Sequence, residues 1–571
     1  MNEGTEPIRL ALTGQLPFVV IAGSIAAFLV SLVTLWFYRR AVLKAMNRRV
    51  GANKNPPAPA TEQSVVRPES VGELSLSVSD AFADSTYSDE SLFKQAHRAL
   101  RRSALVYASA GIIFTLILCV AVLWSTDMAF LPARFIMLFW VYGWPIVLTL
   151  LFIAATSRRE VLLLCGGYFA VLVLLSAWAL ARSTELTMAQ IVVLWIITNL
   201  PPTLLMYASL ARLIRAVGPL VLVLMLTAIT GAVLALTLAG NNEALLRFIA
   251  TLAFAVGLGA SSTFAAILLA GLLLFGVLGW FALVWIRRGY LSKRLNDQSL
   301  MLDAMWLLFA VFASIGLAFE GNWWALSGIV AFIGYKIVLK TGFRFAIPSE
   351  QHSTTNVPLV LLRVFSLGKR SEKLFDPVTK LWRHIGIVNL IAGPDLATTT
   401  VEPHEFLSFV SHRLASLFIS GADDMEHRWS EQDNAADFDG RYRIHDFFCY
   451  ADTWQSVLTK LVETSKAVLM DLRGFSPQNA GCVHELRELT NVVPLRRVVL
   501  VIDHTTDYTF LEKTLKEAWQ NIRVDSPNIG QSSIVTIIRL PRVSGQSVSN
   551  LLRHLVAAAT QQPTMTTALS D

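Results

Sequence analysis

Charged side chains directly follow short apolar runs in the C-terminal part of the chain. Asp471 and Arg473 lie at the end of the run Ala467–Leu472, and Asp503 closes the run Arg497–Asp503. A charged pair beside a turn could help to position a ligand. If the runs are parallel strands, they end at the same edge of one sheet, where open sheets bind their ligands.

Further candidates lie beside the same runs. Asp395 follows the apolar run Ile387–Ala392, and Asn479 opens a predicted helix that contains Glu485. Backbone N–H groups at the start of a helix attract anions such as phosphate, and a carboxylate held there can act on a bound ligand. We therefore expect a ligand-binding site formed by Asp395, Asp471, Arg473, Asn479 and Asp503, with Glu485 beside it. Lys369 and Arg370, after the first run, resemble a phosphate clamp as much as a solvated loop pair.

The sequence leaves structural explanations open for each candidate. Asp471 could bond nearby backbone N–H groups, and Glu485, placed in the first turn of its helix, would suit the helix dipole. Arg473 and Asp395 could pair with each other or with solvent. Cys482 is better explained as a small buried side chain than as a nucleophile, because no base is placed beside it. No His or Cys spacing is typical of a metal site, so we predict no metal.

The elements that must position these residues begin near Pro348. Continuous apolar runs alternate with amphipathic stretches, which indicates parallel strands covered by helices on both faces. We predict an α/β domain over 346–571 with a doubly wound, mostly parallel, flavodoxin-like sheet. The pattern also predicts a helix at 402–419 and a loop at 421–440. The strands are expected at 358–365, 387–392, 442–450, 467–472, 497–503 and 533–539.

The composition of the whole chain points to a membrane. Of 571 residues, 54% are hydrophobic and 16% are charged, whereas soluble domains carry about 25% charged residues. This excludes a chain that is soluble or disordered throughout. The net charge of +7 comes with arginines clustered beside apolar segments. We therefore expect contact with a lipid bilayer and no binding of nucleic acid.

Nine apolar stretches are long enough to cross a bilayer, which needs about 20 residues each. The first, Leu16–Tyr38, has its basic flank on the C-terminal side, which predicts an uncleaved anchor with the N-terminus outside the cell. An odd number of spans then leaves the 346–571 domain in the cytoplasm, beneath the inner membrane. The other eight spans are predicted at 103–124, 133–155, 161–181, 189–211, 217–239, 262–286, 302–319 and 322–340.

The predicted domains are therefore an anchor (1–50), a disordered cytoplasmic linker (51–92), a multi-pass helical domain (93–345) and the α/β domain (346–571). The apolar stretch 243–259 is expected to be an interfacial or re-entrant helix, because a tenth span would reverse the basic flanks.

Few polar residues interrupt the predicted spans. Asp303 and Lys336 lie near span ends, where side chains can reach the headgroups. Asn199 and the two prolines after it break one span, which indicates either an ion site or a kink satisfied by neighbouring helices. Small residues recur every four positions from Thr227, which favours close packing within the chain or between copies in a homo-oligomer.

The segment from the AVLMDL run through the RVVLVID run resembles the second half of a Toll/interleukin-receptor (TIR)-like domain. The sequence Cys482-Val483-His484-Glu485-Leu486 matches the W/C-x-x-E-L element of such domains, whose glutamate serves cleavage of NAD. The complete layout is similar to uncharacterised bacterial multi-pass membrane proteins with a C-terminal TIR-like, nucleoside deoxyribosyltransferase-like domain. The resemblance implies that Glu485 is the catalytic residue in such a reaction.

Three functions are compatible with these observations. We expect a membrane-anchored signalling or binding protein whose cytoplasmic domain binds a nucleotide-like ligand or self-associates. The first alternative is an effector that cleaves NAD as its substrate with Glu485 and needs no bound cofactor. The second is a transporter or channel regulated by the cytoplasmic domain.

Overall fold

The computed structural model describes residues 6–48, 74–81, 91–127, 130–154, 158–182, 187–209, 214, 217–318, 320–346, 356–364, 369–393, 403–432, 434–529 and 534–560. The chain divides into two compact units. We call the first the helical unit; it comprises Met1–Tyr38, Ser103–Ala346 and Val401–Val410. We call the second the sheet unit; it comprises Arg39–Arg102, Ile347–Thr400 and Ser411–Asp571.

Long apolar helices form most of the helical unit. Among the described residues, eight helical stretches are long and apolar enough to cross a membrane. The helices in this part of the chain are α1 (Glu6–Met46), α2 (Ser91–Ser125), α3 (Pro132–Tyr142), α4 (Trp144–Ile153), α5 (Arg158–Leu180), α6 (Met188–Ser209), α7 (Gly218–Asn241), α8 (Glu243–Ala255), α9 (Ala260–Leu291), α10 (Asp297–Ala318) and α11 (Ser327–Ala346).

Two predicted segments differ from the eight long helices. The predicted ninth span, 322–340, is a short 3-10 helix at Asn322–Leu326 followed by α11. Three basic residues lie along α11, and it is not among the eight. The stretch predicted as interfacial or re-entrant is α8, which has 13 residues. A helix of that length extends about 20 Å, too short to cross a bilayer on its own.

Small residues allow α7 and α9 to approach closely. A Cβ atom added at Gly271 would lie 2.5 Å from the Gly231 carbonyl oxygen and 2.7 Å from the Ala235 side chain. The repeat of small residues predicted from Thr227 onward therefore packs against another helix of the same chain. Such contacts are a common way for apolar helices to associate where no hydrophobic driving force acts between them.

We expect Gly271→Ala to destabilise the helical unit by about 1–3 kcal/mol, because the backbones of α7 and α9 must separate to admit the methyl group. Gly276→Ala is the matched control on the same helix, since a Cβ there meets nothing within 4 Å. That change should be neutral or stabilise by up to about 1 kcal/mol through helix propensity. Unfolding of the full chain in detergent measures both, and equal effects would contradict this packing.

The sheet unit contains one sheet of eight parallel strands, in the order β1-β8-β7-β6-β2-β3-β5-β4. The predicted parallel sheet is therefore confirmed. The strands are β1 (Ser75–Asp80), β2 (Leu359–Arg363), β3 (Val388–Ile391), β4 (Phe418–Ile419), β5 (Ile444–Cys449), β6 (Ala467–Asp471), β7 (Val498–Ile502) and β8 (Ile534–Arg539). The helices of the sheet unit are α12 (Lys369–Trp382), α14 (Ala422–Ser430), α15 (Trp454–Thr464), α16 (Ala480–Val492), α17 (Tyr508–Gln520) and α18 (Gly545–Thr560), and α13 (Pro403–Val410) lies between α12 and α14 in the chain.

Each face of the sheet has its own hydrophobic core, as expected for a doubly wound fold. Val360 and Leu362 of β2 join a core that also contains apolar residues of α15, α16 and α17. Leu359 and Leu361 join the opposite core, with residues of α12, α18 and the start of α2. Successive strand residues point to opposite faces, so a strand buried on both sides must be apolar at every position.

One strand comes from the predicted linker, 51–92, which corrects that prediction for these residues. Ser75–Asp80 pairs with β8 along its length, with Leu76 opposite Val535 and Val78 opposite Ile537. Leu76 also packs against one core. Strand β1 thereby covers an apolar edge that would otherwise expose its backbone hydrogen-bonding groups. The sequence concealed it because four of its six residues are Ser or Asp. Residues 51–73 and 82–90 of the linker lie outside the described residues.

The predicted helix 402–419 and loop 421–440 were also wrong in part. The helix ends at Val410, His412 takes a positive φ of 57°, and the rest forms a 3-10 turn and β4. The loop contains α14. Helix α13 belongs to the helical unit, in which Tyr38 donates to the Glu405 carboxylate at 3.2 Å and contacts Phe409 edge to face.

Candidate functional site

The strand order creates a topological switch point between β2 and β6. From β2 the chain moves to β3 on one side, and it later returns to β6 on the other side. The connections therefore leave the carboxyl ends of these two strands in opposite directions. This opens the crevice in which doubly wound sheets bind ligands.

Asp471 and Arg473 form a buried ion pair at the end of β6. The Arg473 guanidinium donates to both oxygens of the Asp471 carboxylate, at 2.8 Å to Oδ1 and 2.7 Å to Oδ2. Ser371, in the first turn of α12, donates to Oδ2 at 2.8 Å, and the Arg473 backbone N–H donates to Oδ1 at 3.2 Å. Asp471 therefore bonds a nearby backbone N–H, as predicted by the structural explanation. It also bonds the side chains of Ser371, which follows β2, and of Arg473, which follows β6.

A second ion pair lies at the end of β7. Arg370 donates to the Asp503 carboxylate and to the Thr505 hydroxyl, the latter at 3.1 Å. The side chain of Asp503 is 1% exposed, whereas that of Arg370 is 37% exposed. Arg370 also lies in the first turn of α12, and its carbonyl accepts from Arg473 at 3.0 Å. The start of α12, with its unbonded backbone N–H groups, is thus fixed at the edge of the sheet.

Glu485 is buried on the inner face of α16, near the end of β2. It lies in the second turn of the helix rather than the predicted first turn, so the helix dipole does not explain it. Burial raises the pKa of Glu485 to about 8, although the Arg363 charge and a hydrogen bond with Cys482 act to lower it. No described residue forms a hydrogen bond with its Oε2 atom.

Cys482 behaves as a buried structural thiol. Its Sγ donates to the Arg363 carbonyl at 3.6 Å, and burial raises the pKa of the thiol well above its ordinary value. A thiol held in its neutral form is a poor nucleophile. Its position nevertheless fixes α16 against the last residue of β2.

The remaining candidates have different outcomes. Asn479 lies beside α16, and its Oδ1 accepts from the Ser476 backbone N–H at 2.9 Å and from its hydroxyl at 3.0 Å, which closes the loop before the helix. Asp395 lies outside the described residues. Arg473 bonds Asp471.

Sequence reasoning missed Arg363. It is 4% exposed and is the last residue of β2. The sequence did contain an indication, because Arg363 is the single charged residue in an otherwise apolar run. A strand buried on both faces tolerates such a residue only if partners compensate its charge.

The two prolines of the predicted broken span lie inside a continuous helix, α6, whose Asn199 and Thr203 side chains bond neighbouring helices. Pro145 lacks the N–H that would bond the Val141 carbonyl, and the Asn199 amide donates to that carbonyl at 3.0 Å. Trp144 donates to the Thr203 hydroxyl at 3.0 Å. These contacts tie α6 to α3 and α4, and both explanations of the break, an ion site and a kink, stay predictions.

No protein-family description, no curated protein and no solved structure matches this chain. The arrangement itself must therefore carry the functional argument. Among the described residues, no group of three or more His, Cys, Asp or Glu side chains could hold a metal ion. The switch point instead combines guanidinium groups, a helix start and a buried carboxyl group, which together can bind an anionic ligand that also carries hydroxyl groups.

The raised pKa of Glu485 makes stability depend on pH. An unfolded chain loses this proton near pH 4.5, whereas the folded protein keeps it up to about pH 8. Between these values the unfolded state binds fewer protons, so the free energy of unfolding falls as pH rises.

Glu485→Gln removes this titration. We expect the difference in the free energy of unfolding, variant minus wild type, to increase by about 1.4 kcal/mol per pH unit between pH 4.5 and 8. At pH 7 this increase amounts to roughly 3 kcal/mol. Urea unfolding of the full chain across this range measures the slope. Glu512→Gln, which removes an exposed carboxylate of α17, is the control and should leave the slope unchanged. A constant difference between Glu485→Gln and the wild type would show that this carboxyl group ionises alike in both states.

Proposed function

We propose that this protein is an integral membrane protein that binds a nucleotide-like, phosphate-bearing ligand at the switch point of its sheet unit. The observation that carries the proposal is the convergence of Arg363, Arg370 and Arg473 with the start of α12 at the ends of β2, β6 and β7. Eight apolar helices support the membrane placement. The basic flank after the first helix supports an N-terminus outside, and a sheet unit in the cytoplasm then requires α11 as a ninth crossing.

Arg370 is the residue best placed to meet a phosphate group. It is the most exposed member of the cluster, and its present partner is a carboxylate that also accepts two hydrogen bonds from Thr505, at 2.9 and 2.6 Å. Asp503 can therefore keep hydrogen bonds if Arg370 turns toward a ligand. Arg473 is fully engaged by Asp471, so its role is to hold the start of α12 in place.

The proposed relation to TIR-like domains is supported by the parallel sheet with β2 between β3 and β6, and by Glu485 on α16 beside β2. In this scheme the protein is a sensor in which ligand binding to the sheet unit forms the signal. The ligand is an anion with a sugar moiety, because guanidinium groups and a neutral carboxyl group complement phosphate and hydroxyl oxygens respectively.

The test is a binding measurement with the full chain in lipid nanodiscs. NAD, ADP-ribose, ATP and inorganic phosphate are the probes, and adenosine is the probe without phosphate. We expect at least one nucleotide to bind, and Arg370→Ala to weaken it by about tenfold, the loss of one charge-assisted contact. Arg487→Ala, which removes an exposed arginine of α16, should leave the affinity unchanged.

Two outcomes would contradict the binding proposal. The first is a wild-type protein that binds none of the probes. The second is an Arg370→Ala variant that binds as tightly as Arg487→Ala, because the charge at the start of α12 would then play no part. Self-association without any nucleotide, together with the first outcome, would instead favour an assembly module.

Glu485 supports a second candidate, cleavage of NAD. Strongly shifted carboxyl groups cluster at catalytic sites, and the pKa of this one is raised to about 8 at the predicted catalytic position. A carboxylate can stabilise the positive charge that develops at the ribose during glycosidic cleavage. Only the ionised form of Glu485 can do so.

This candidate predicts a rising pH profile. The ionised fraction of a group with a pKa of about 8 grows roughly tenfold between pH 7 and pH 9, and the rate of nicotinamide release should grow with it. Release by the full chain, compared with Glu485→Gln, measures this directly. A flat profile, or equal rates for the two proteins, would remove Glu485 from the reaction.

A further inference from the structure

Helices α10 and α11 share an ion pair inside the helical unit. The Lys336 ammonium donates to Asp303 Oδ2 at 2.6 Å, and the Asp303 side chain is 15% exposed. Both residues were expected to reach separately toward headgroups from span ends. They bond each other instead, which leaves the second carboxylate oxygen, Oδ1, facing the interior of the unit.

Three polar atoms at this position are buried and have no hydrogen-bond partner among the described residues. They are Oδ1 of Asp303, the indole Nε1 of Trp306 and the hydroxyl of Tyr335. Trp306 and Tyr335 are 0% exposed, and their rings stack with centroids 5.1 Å apart. Tyr335 also lies within electrostatic reach of Asp303. Asp303 and Trp306 lie one turn apart on α10, so the three side chains are neighbours.

Such a cluster is costly if nothing satisfies it. A buried polar group without a hydrogen bond destabilises a protein by about 1–3 kcal/mol, and more in a purely apolar setting. The surroundings here are apolar, since Phe114 packs on the Trp306 ring with centroids 4.8 Å apart. The indole and the phenol each offer a donor, and the carboxylate offers an acceptor, so a small molecule that both donates and accepts would satisfy all three.

We propose that Asp303, Trp306 and Tyr335 bind one or more internal water molecules, which bridge the carboxylate to the two aromatic side chains. Water is the smallest ligand with the required donors and acceptors, and buried waters typically make about three such bonds. The hydrated site keeps the Asp303–Lys336 ion pair solvated inside an otherwise apolar helical unit. The titratable side chains around Asp303 are Lys336 and Tyr335 on α11, and Tyr107 of α2 lies next to Tyr335.

Radiolytic hydroxyl-radical labelling of the full chain in nanodiscs tests this, because bound water generates radicals beside buried side chains. We expect Trp306 and Tyr335 to be labelled at least about fivefold faster than a dry aromatic residue of equal burial. Trp382 is the internal control: it is 0% exposed, and its Nε1 donates to the Val357 carbonyl at 3.0 Å.

The melting temperature shows whether the Tyr335 hydroxyl forms a water-mediated hydrogen bond or none. If water connects Tyr335 to Asp303, Tyr335→Phe should lower the melting temperature by about 2–4 °C, and by clearly less in an Asp303→Asn background. A hydroxyl without a partner would give an unchanged or higher melting temperature, because its removal relieves an unmet hydrogen bond. Labelling of both residues at the rate of Trp382, or a Tyr335→Phe variant no less stable than wild type, overturns the proposal.

Discussion

Polar groups removed from water must find partners, and this constraint shapes both units. The amide of Asn199 bonds the Val141 carbonyl that Pro145 leaves without its usual donor. The Asp471 carboxylate receives four hydrogen bonds from Arg473 and Ser371. Where a partner is incomplete, as at Glu485, the group stays neutral by holding its proton. Each of these contacts resolves the same energetic problem, because an unsatisfied buried polar group costs a large part of a protein's net stability.

The same constraint explains why the charged cluster lies at the switch point. The central strands β2, β6 and β7 are apolar at nearly every position because both faces of the sheet are covered there. On these central strands the charged side chains lie where a strand ends, as Arg363 and Asp471 do at the ends of β2 and β6. Two neighbouring strands whose connections diverge leave room for such residues to meet. The topology of the sheet by itself therefore accounts for the location of this cluster.

The ion pairs also determine which residues are available to a ligand. Arg473 is fully used by Asp471, whereas Arg370 has an exposed side chain and a partner with other donors. Glu485 contributes a neutral carboxyl group at neutral pH. The proposed ligand site is preorganised, because its donors are held in position by contacts that exist before binding. Catalysis through Glu485 would require its ionised form and hence a higher pH.

The sequence by itself determined the broad architecture. Continuous apolar runs predicted β2, β3, β5, β6, β7 and β8 almost to the residue, and long apolar stretches predicted the eight membrane-length helices. It also predicted that Asp471, Arg473 and Asp503 lie at one edge of the sheet. Each follows or ends an apolar run, and the end of such a run can be recognised from neighbouring residues in the sequence. These features depend on local hydrophobic patterning, which the amino-acid order contains in full.

Only the tertiary structure decided the rest, because the deciding partners are distant in sequence. The sequence of β1 is typical of a polar linker, and it forms a strand because it pairs with β8. The paired residues Ser75 and Ile534 are 459 positions apart in the chain. The interaction of Arg363 with Glu485 exists only because the fold brings the two together. The same holds for the interactions of Asp303 with Lys336 and Tyr335. The pKa of Glu485 likewise depends on complete burial, which no local pattern specifies. Long-range pairing sets these properties, since the energy of a charge or a strand edge is fixed by what the fold brings against it.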